Sequence, residues 1–95
     1  MDTIVIRKAA PADAKDISRV TRRAFEQYAQ AIRSRESIVA LHETEEDILR
    51  DIREKHVYVC QLDQETVGSV RFEVLAQGVA YLSRFAVDPD VQSLG

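Results

Sequence analysis

Apolar residues recur along this chain with two different spacings, and the change from one to the other divides it. Thr3 to Arg7 (TIVIR) alternates in part and predicts a short strand. Pro11-Ala12-Asp13 then marks a helix entrance. Proline suits the first helical position because its missing N–H would find no partner there, and Asp13 meets the positive end of the helix dipole. Ile17, Val20, Ala24 and Tyr28 step by three and four, flanked by Thr21 and Phe25. That is one face of an amphipathic helix running to about Ala29. Between Gln30 and His42 the apolar residues Ile32, Ile38, Val39 and Leu41 keep no firm period, which predicts a loop with a short helical piece. Thr44 and Asp47 have the spacing of a capping box, and Ile48, Leu49 and Ile52 supply a buried stripe for a second helix over roughly 45–55. Glu46 with Arg50 and Asp51 with Lys55 stand four apart in the favourable order, contributing about 0.3 kcal/mol each.

After His56 the period becomes two. Val57 to Leu62 is rich in strand formers, Asp63-Gln64-Glu65 makes a turn, and Thr66 to Ala76 is the next strand. Gly68, Val70, Phe72 and Val74 share one of its faces, with Arg71 and Glu73 on the other. Gln77-Gly78 gives a second tight turn. Val79 to Val87 forms a third strand, with Val79, Tyr81, Ser83, Phe85 and Val87 on one face and Ala80, Leu82, Arg84 and Ala86 on the opposite one. Both faces are substantially apolar, so burial on both sides is expected. The predicted order is β-α-α-β-β-β, an α+β arrangement in which two helices pack on an antiparallel meander.

Composition narrows the function classes. The chain has 95 residues, enough for one domain with a small core. Its net charge of −3 disfavours a nucleic-acid partner, whose binding rests on neutralised phosphates. The charge is uneven: residues 1–40 carry +3 and residues 41–95 carry −6. Arg19, Arg22 and Arg23 on one helix read as an anion patch or as a solvated face, the second being the expectation. No apolar run approaches the roughly 18 residues of a membrane span, so no membrane partner is expected. A lone Cys60 fits a reducing compartment, and cytoplasm is the expected location. Metal binding is not expected, because His and Cys do not occur at ligand spacing.

The informative stretch is Phe85-Ala86-Val87-Asp88-Pro89-Asp90-Val91-Gln92-Ser93-Leu94-Gly95. An apolar strand ends, Pro89 blocks its continuation, and a polar loop leads to Gly95. Strand, Gly-containing loop and helix is how backbone N–H groups gather around a phosphate. Ala86-Val87-Asp88-Pro89 and Gln92-Ser93-Leu94-Gly95 resemble the coenzyme-binding signature of the GNAT superfamily of N-acetyltransferases. Ile6-Arg7-Lys8-Ala9 with Pro11-Ala12-Asp13-Ala14 and Ile17 is similar to that superfamily's first strand and helix, and Gly68 after an Asp-containing turn matches as well.

The resemblance implies a partial GNAT fold, with residues 1–95 forming the N-terminal half of one domain up to the start of the pyrophosphate loop. It implies acyl transfer, in the simplest case from acetyl-CoA to the amine of a small-molecule or peptide acceptor, with positioning as the main contribution. Pantetheine would lie along the backbone of Phe85, Ala86 and Val87, where an N–H would stabilise the thioester oxyanion. Gln92, Ser93, Leu94 and Gly95 would turn their N–H groups to the pyrophosphate. Some members carry a carboxylate base at the position of Tyr81; a tyrosine, with an ordinary pKa of about 10, serves poorly as a base. Glu73 is a candidate substitute through water, against the blander reading of a surface carboxylate.

His42 falls where the family meets its acceptors but also reads as a solvated loop residue. His56 suits a helix end, and Cys60 a small core position. The resemblance further implies that a following helix and strand are missing here, so that a sheet face and the Val79–Val87 strand stay uncovered. Self-association through either is expected, with little activity from the isolated chain. The alternative is a non-catalytic module of the same shape that self-associates or docks on a partner.

Overall fold

The computed structural model describes residues 3–31 and 34–92, without the side chains of Arg35, Glu36 and Gln92. Strand β1 spans Ile4–Lys8 and leads through a tight helical turn at Pro11–Asp13 into helix α1, Ala14–Ala31. Helices α2 (Arg35–Leu41) and α3 (Glu45–Glu54) follow, then strands β2 (His56–Leu62), β3 (Glu65–Val74) and β4 (Ala80–Val87), and a single helical turn, α4 (Pro89–Gln92). The four strands form one antiparallel sheet in the order β1-β2-β3-β4. This is the expected α+β meander, with one helix more than the sequence predicts.

Local chemistry sets the boundaries. Asp13 accepts the N–H of Ala10 at 2.7 Å and grips the Arg7 guanidinium with both oxygens at 2.8 Å, tying β1 to the start of α1. The Thr44–Asp47 capping box forms in both directions, at 3.2 and 2.9 Å. Ser34 caps α2 by accepting the N–H of Ser37 at 3.1 Å. Asp51 pairs with Lys55 at 3.4 Å as the spacing predicts, whereas Arg50 reaches Asp47 at 3.5 Å in place of Glu46. Both hairpin turns place non-glycine residues at positive φ, Asp63 and Gln64 in the first and Gln77 in the second. Two-residue turns of that hand match the twist of the strands they join.

The helices cover one face of the sheet. Ile17 of α1 and Ile48 of α3 are fully buried with Val57 and Val59 of β2. Farther along α1, Val20 and Ala24 close over Ala86, with Phe25 and Tyr28 at the margin. The opposite face has no cover among the described residues, and this corrects the expectation that β4 is buried on both sides. Ala86 is its one buried residue, while Phe85, Leu82 and Tyr81 are each more than half exposed. The predicted faces of β4 also change. A register shift at Arg71/Phe72 pairs Tyr81 with Glu73 on the helix side, while Phe85 pairs with Val70 on the open side. A bulge of this kind inserts one residue and reverses the alternation beyond it. Cys60, expected in the core, lies half-buried on the open face instead, opposite Gly68. No helix among the described residues is long and apolar enough to cross a membrane.

Candidate active site

Three groups of residues converge on β4. The first is the chain's exit from the sheet. Among the described residues β4 is an outermost strand, so the backbone of Phe85, Ala86 and Val87 runs along a sheet edge. Asp88 then leaves the sheet by donating its N–H to the Val67 carbonyl at 2.8 Å. Its carboxylate is nearly buried and accepts the Asp90 N–H at 2.9 Å, so that it caps the turn at Pro89–Gln92. Proline at the first helical position costs no hydrogen bond, which is why this turn closes where the sequence reading placed a loop.

Two arginines of α1 clamp that exit. Arg23 reaches Asp88 through Nε at 3.2 Å and Asp90 through Nη2 at 2.9 Å. Arg19 stands 3.8 Å from Asp88 and donates to the Thr66 carbonyl at 3.1 Å. The hydrogen bond and charge of Asp88, reinforced by Asp90, hold the Arg23 guanidinium even more firmly protonated than usual. These side chains are neither an anion patch nor a merely solvated face. They fix the direction in which the chain departs from β4. Gln92 ends the helical turn, and Ser93, Leu94 and Gly95 lie outside the described residues.

The second group sits beneath the helices. Arg71 of β3 is wholly buried and grips Glu43 with two hydrogen bonds of 2.8 and 2.7 Å. It also donates to Asp51 at 3.0 Å and to Thr21 at 3.4 Å. One cation thereby joins α1, the α2–α3 connection, α3 and the sheet. Beside it opens a hollow of about 490 Å³ whose polar wall is His42, Glu43, Asp47, Arg50, Asp51 and Arg84. Hydrogen bonds from the Thr44 N–H and hydroxyl hold the Asp47 carboxyl below the usual carboxylate range, so it stays ionised at neutral pH.

The third group is the pair of candidate proton carriers. Glu73 and Tyr81 are direct cross-strand neighbours, which the sequence faces did not foresee. Glu73 is partly exposed and lies 3.7 Å from Lys55. Tyr81 precedes Phe85 by four residues, about 13 Å along a strand, so it does not touch a group held at Phe85. His42 is exposed at the wall of the hollow. His56 opens β2 and stacks on Phe72 with ring centroids 5.1 Å apart, instead of serving a helix end.

This geometry agrees with what known proteins show. The acetyltransferase (GNAT) family model matches residues 20–95. The chain belongs to the GNAT acetyltransferase family. No curated protein is a match. Among solved structures, a PaiA N-acetyltransferase from Thermoplasma acidophilum, crystallised with coenzyme A, is similar with a TM-score of 0.80 at 22% identity. An N-acetyltransferase from Rhodopseudomonas palustris gives 0.72 at 19%, and an acetyltransferase from Thermus thermophilus 0.66 at 22%. The likeness covers 93%, 93% and 95% of this chain but only 60%, 54% and 59% of those three. The GNAT chain described here therefore spans a little over half the length of these solved relatives, and at such identities the shared feature is the fold.

Sequence reasoning missed the Arg71 network. The signal was available, since Arg71 alternates with Val67 and Ser69 toward the helix side, and an arginine there needs carboxylates. Which ones could be known only once Glu43 and Asp51 were brought to it from 28 and 20 residues away.

Proposed function

We propose that this GNAT chain forms the donor-binding half of an acyl-CoA-dependent N-acyltransferase, which carries an acetyl group from acetyl-CoA to an amine. One arrangement carries the reading: the edge backbone of β4 runs through a clamped Asp88 into the segment that matches the family's coenzyme signature. Pantetheine would add to the β4 edge as an extended strand does, through main-chain hydrogen bonds near Phe85, Ala86 and Val87. The pyrophosphate would meet the N–H groups of Gln92 to Gly95. The coenzyme A bound to the Thermoplasma relative supports a ligand of this class. On the helix side, the Glu43 and Asp51 wall of the hollow suits an acceptor that arrives as an ammonium. Once deprotonated, its nitrogen would attack the thioester carbonyl. The C–S bond breaks, an amide forms, and the coenzyme leaves as a thiol after taking up a proton. Glu73 and Tyr81 are placed on the acceptor side, where a water could link them to the amine.

The uncovered sheet face favours a second reading, a non-catalytic module of the same fold. Titration of the ¹⁵N-labelled 95-residue chain with acetyl-CoA separates the two. The expected result is amide shifts confined to Phe85–Gly95, with affinity weaker than micromolar because β4 offers backbone on one side only. We expect no acetyl transfer to added polyamines or peptides from these residues alone. Unshifted amides between Phe85 and Gly95 at millimolar acetyl-CoA, or shifts centred elsewhere, overturn the assignment.

A further inference from the structure

The open face of the sheet is built like an interface. Its strand register places Ile6, Cys60, Gly68 and Val87 in one row across the four strands. The next row holds Tyr58, Val70 and Phe85, and the third Phe72 and Leu82. The charged or titratable groups of this face stand at its ends. Lys8, beside Tyr58, and His56, beside Phe72, mark one end; Glu65, beside Leu62, marks the other. Strands 4.8 Å apart and about eight residues long make a four-stranded face on the order of 500 Å². A patch of that size is at the upper end of what monomers leave in water and commonly marks an interaction site.

We infer that this face is the dimer interface of the chain and that its occupant is a second copy, packed sheet against sheet. Three features point to a copy of itself. The first is area: two such faces remove about 1,000 Å², the size at which specific interfaces begin. The second is charge. A twofold axis lying in the sheet, across the strands, inverts strand direction and brings the Lys8–His56 end of one copy over the Glu65 end of the other. Opposite charges then meet at both rims, and the centre stays apolar.

The third feature is relief. A hollow of about 260 Å³ lies among Ile6, Tyr58, Cys60, Gly68, Phe85 and Val87. Its floor exists because Gly68 has no side chain, since a Cβ there would stand 3.3 Å from the Ala86 carbonyl oxygen. Toward the other end rises a ridge of stacked rings, with Phe72 5.1 Å from His56 and 6.1 Å from Tyr58. The same rotation sets the ridge of each copy toward the hollow of its partner. An isologous interface requires this, because one surface must supply both halves of the fit. The inference is independent of the proposed acyl transfer and survives if coenzyme A does not bind.

Sedimentation equilibrium of the full chain across micromolar concentrations tests it. The expected result is a monomer–dimer equilibrium. Val70→Lys, which places an unpaired ammonium at the centre of the face, should raise the dissociation constant at least ~100-fold. Cys60 provides a second readout on the unaltered chain, independent of whether the variant folds. Its alkylation rate should fall as protein concentration rises through the dimer range. A monomer at every concentration, an open-ended series of aggregates, or a dimer untouched by Val70→Lys each overturns the inference. The last would assign the contact to the β4 edge. An alkylation rate independent of concentration overturns it as well.

Discussion

The two faces of this sheet reverse the usual distribution of charge. The face under the helices contains a completely buried arginine with two carboxylates against it, whereas the face in water is made of Ile6, Val70, Phe72 and Phe85. Burial alone does not predict which residues a surface carries; partnership does. Arg71 is tolerated inside because Glu43 and Asp51 satisfy it, and the apolar rows are tolerated outside only while something covers them. The coenzyme edge of β4 lies at the border of the two. It is held from the covered side by Ala86 against Val20 and Ala24, and by Asp88 under the α1 arginines.

The sharpest way to break this comparison is to remove the buried cation. Arg71→Met leaves Glu43 and Asp51 facing each other without compensation in a poorly solvated place. The expected loss of stability is about 3–5 kcal/mol in urea denaturation. Replacing all three, as Arg71→Met with Glu43→Leu and Asp51→Leu, should recover most of it, since the pairing and not the charge itself is what the covered face needs. A loss below about 1 kcal/mol for the single variant would show that the helices are held by apolar packing alone, with the network as bystander.

A matched pair of truncations sharpens the same point. Ile48 on α3 is fully buried, and Ile4, at the end of the open face, is 67% exposed. Ile48→Ala should cost about 3 kcal/mol through lost transfer energy and a residual cavity. Ile4→Ala, measured at protein concentrations low enough to keep the chain monomeric, should stay within about 0.5 kcal/mol. Equal losses would mean that the open face is covered in solution even by the monomer.

How far the sequence discloses this molecule follows the range of the interactions involved. The helix over Ala14–Ala31 and the strands after His56 are legible because their periods are local, and the Thr44 cap because its partner is three residues away. Helix α2 escapes because seven residues give too few repeats for a period, although Ser34 with Ser37 had the spacing of a cap. The faces of β4 are misread for a different reason. Alternation presumes an unbroken ladder, and the bulge opposite Arg71/Phe72 lies in the pairing of two strands, not in either sequence. Within the site, Asp88-Pro89 is visible as a motif. The arginines that orient it are 69 and 65 residues earlier and have no local signature.

Acid offers the mildest test, because carboxylates hold the helices to the covered face and Glu65 is the one acidic group in the strand register of the open face. The Arg7 guanidinium and the Ala10 N–H hold the Asp13 carboxyl below its ordinary range, and Thr44 does the same for Asp47. A carboxyl with a lowered folded value binds fewer protons folded than unfolded. Its contribution is therefore complete above the unfolded pKa of about 4 and is lost as the pH falls through the folded value. Urea denaturation from about pH 5 to about pH 3 should show stability declining with acid in the native chain. Asp13→Asn should cost about 1 kcal/mol at neutral pH and flatten part of that decline, because its amide cannot receive two guanidinium donors. Parallel acid profiles for the two proteins would show that the tie between β1 and α1 is geometric and carries no proton linkage. The covered face would then owe its acid sensitivity to Asp47, Glu43 and Asp51 instead.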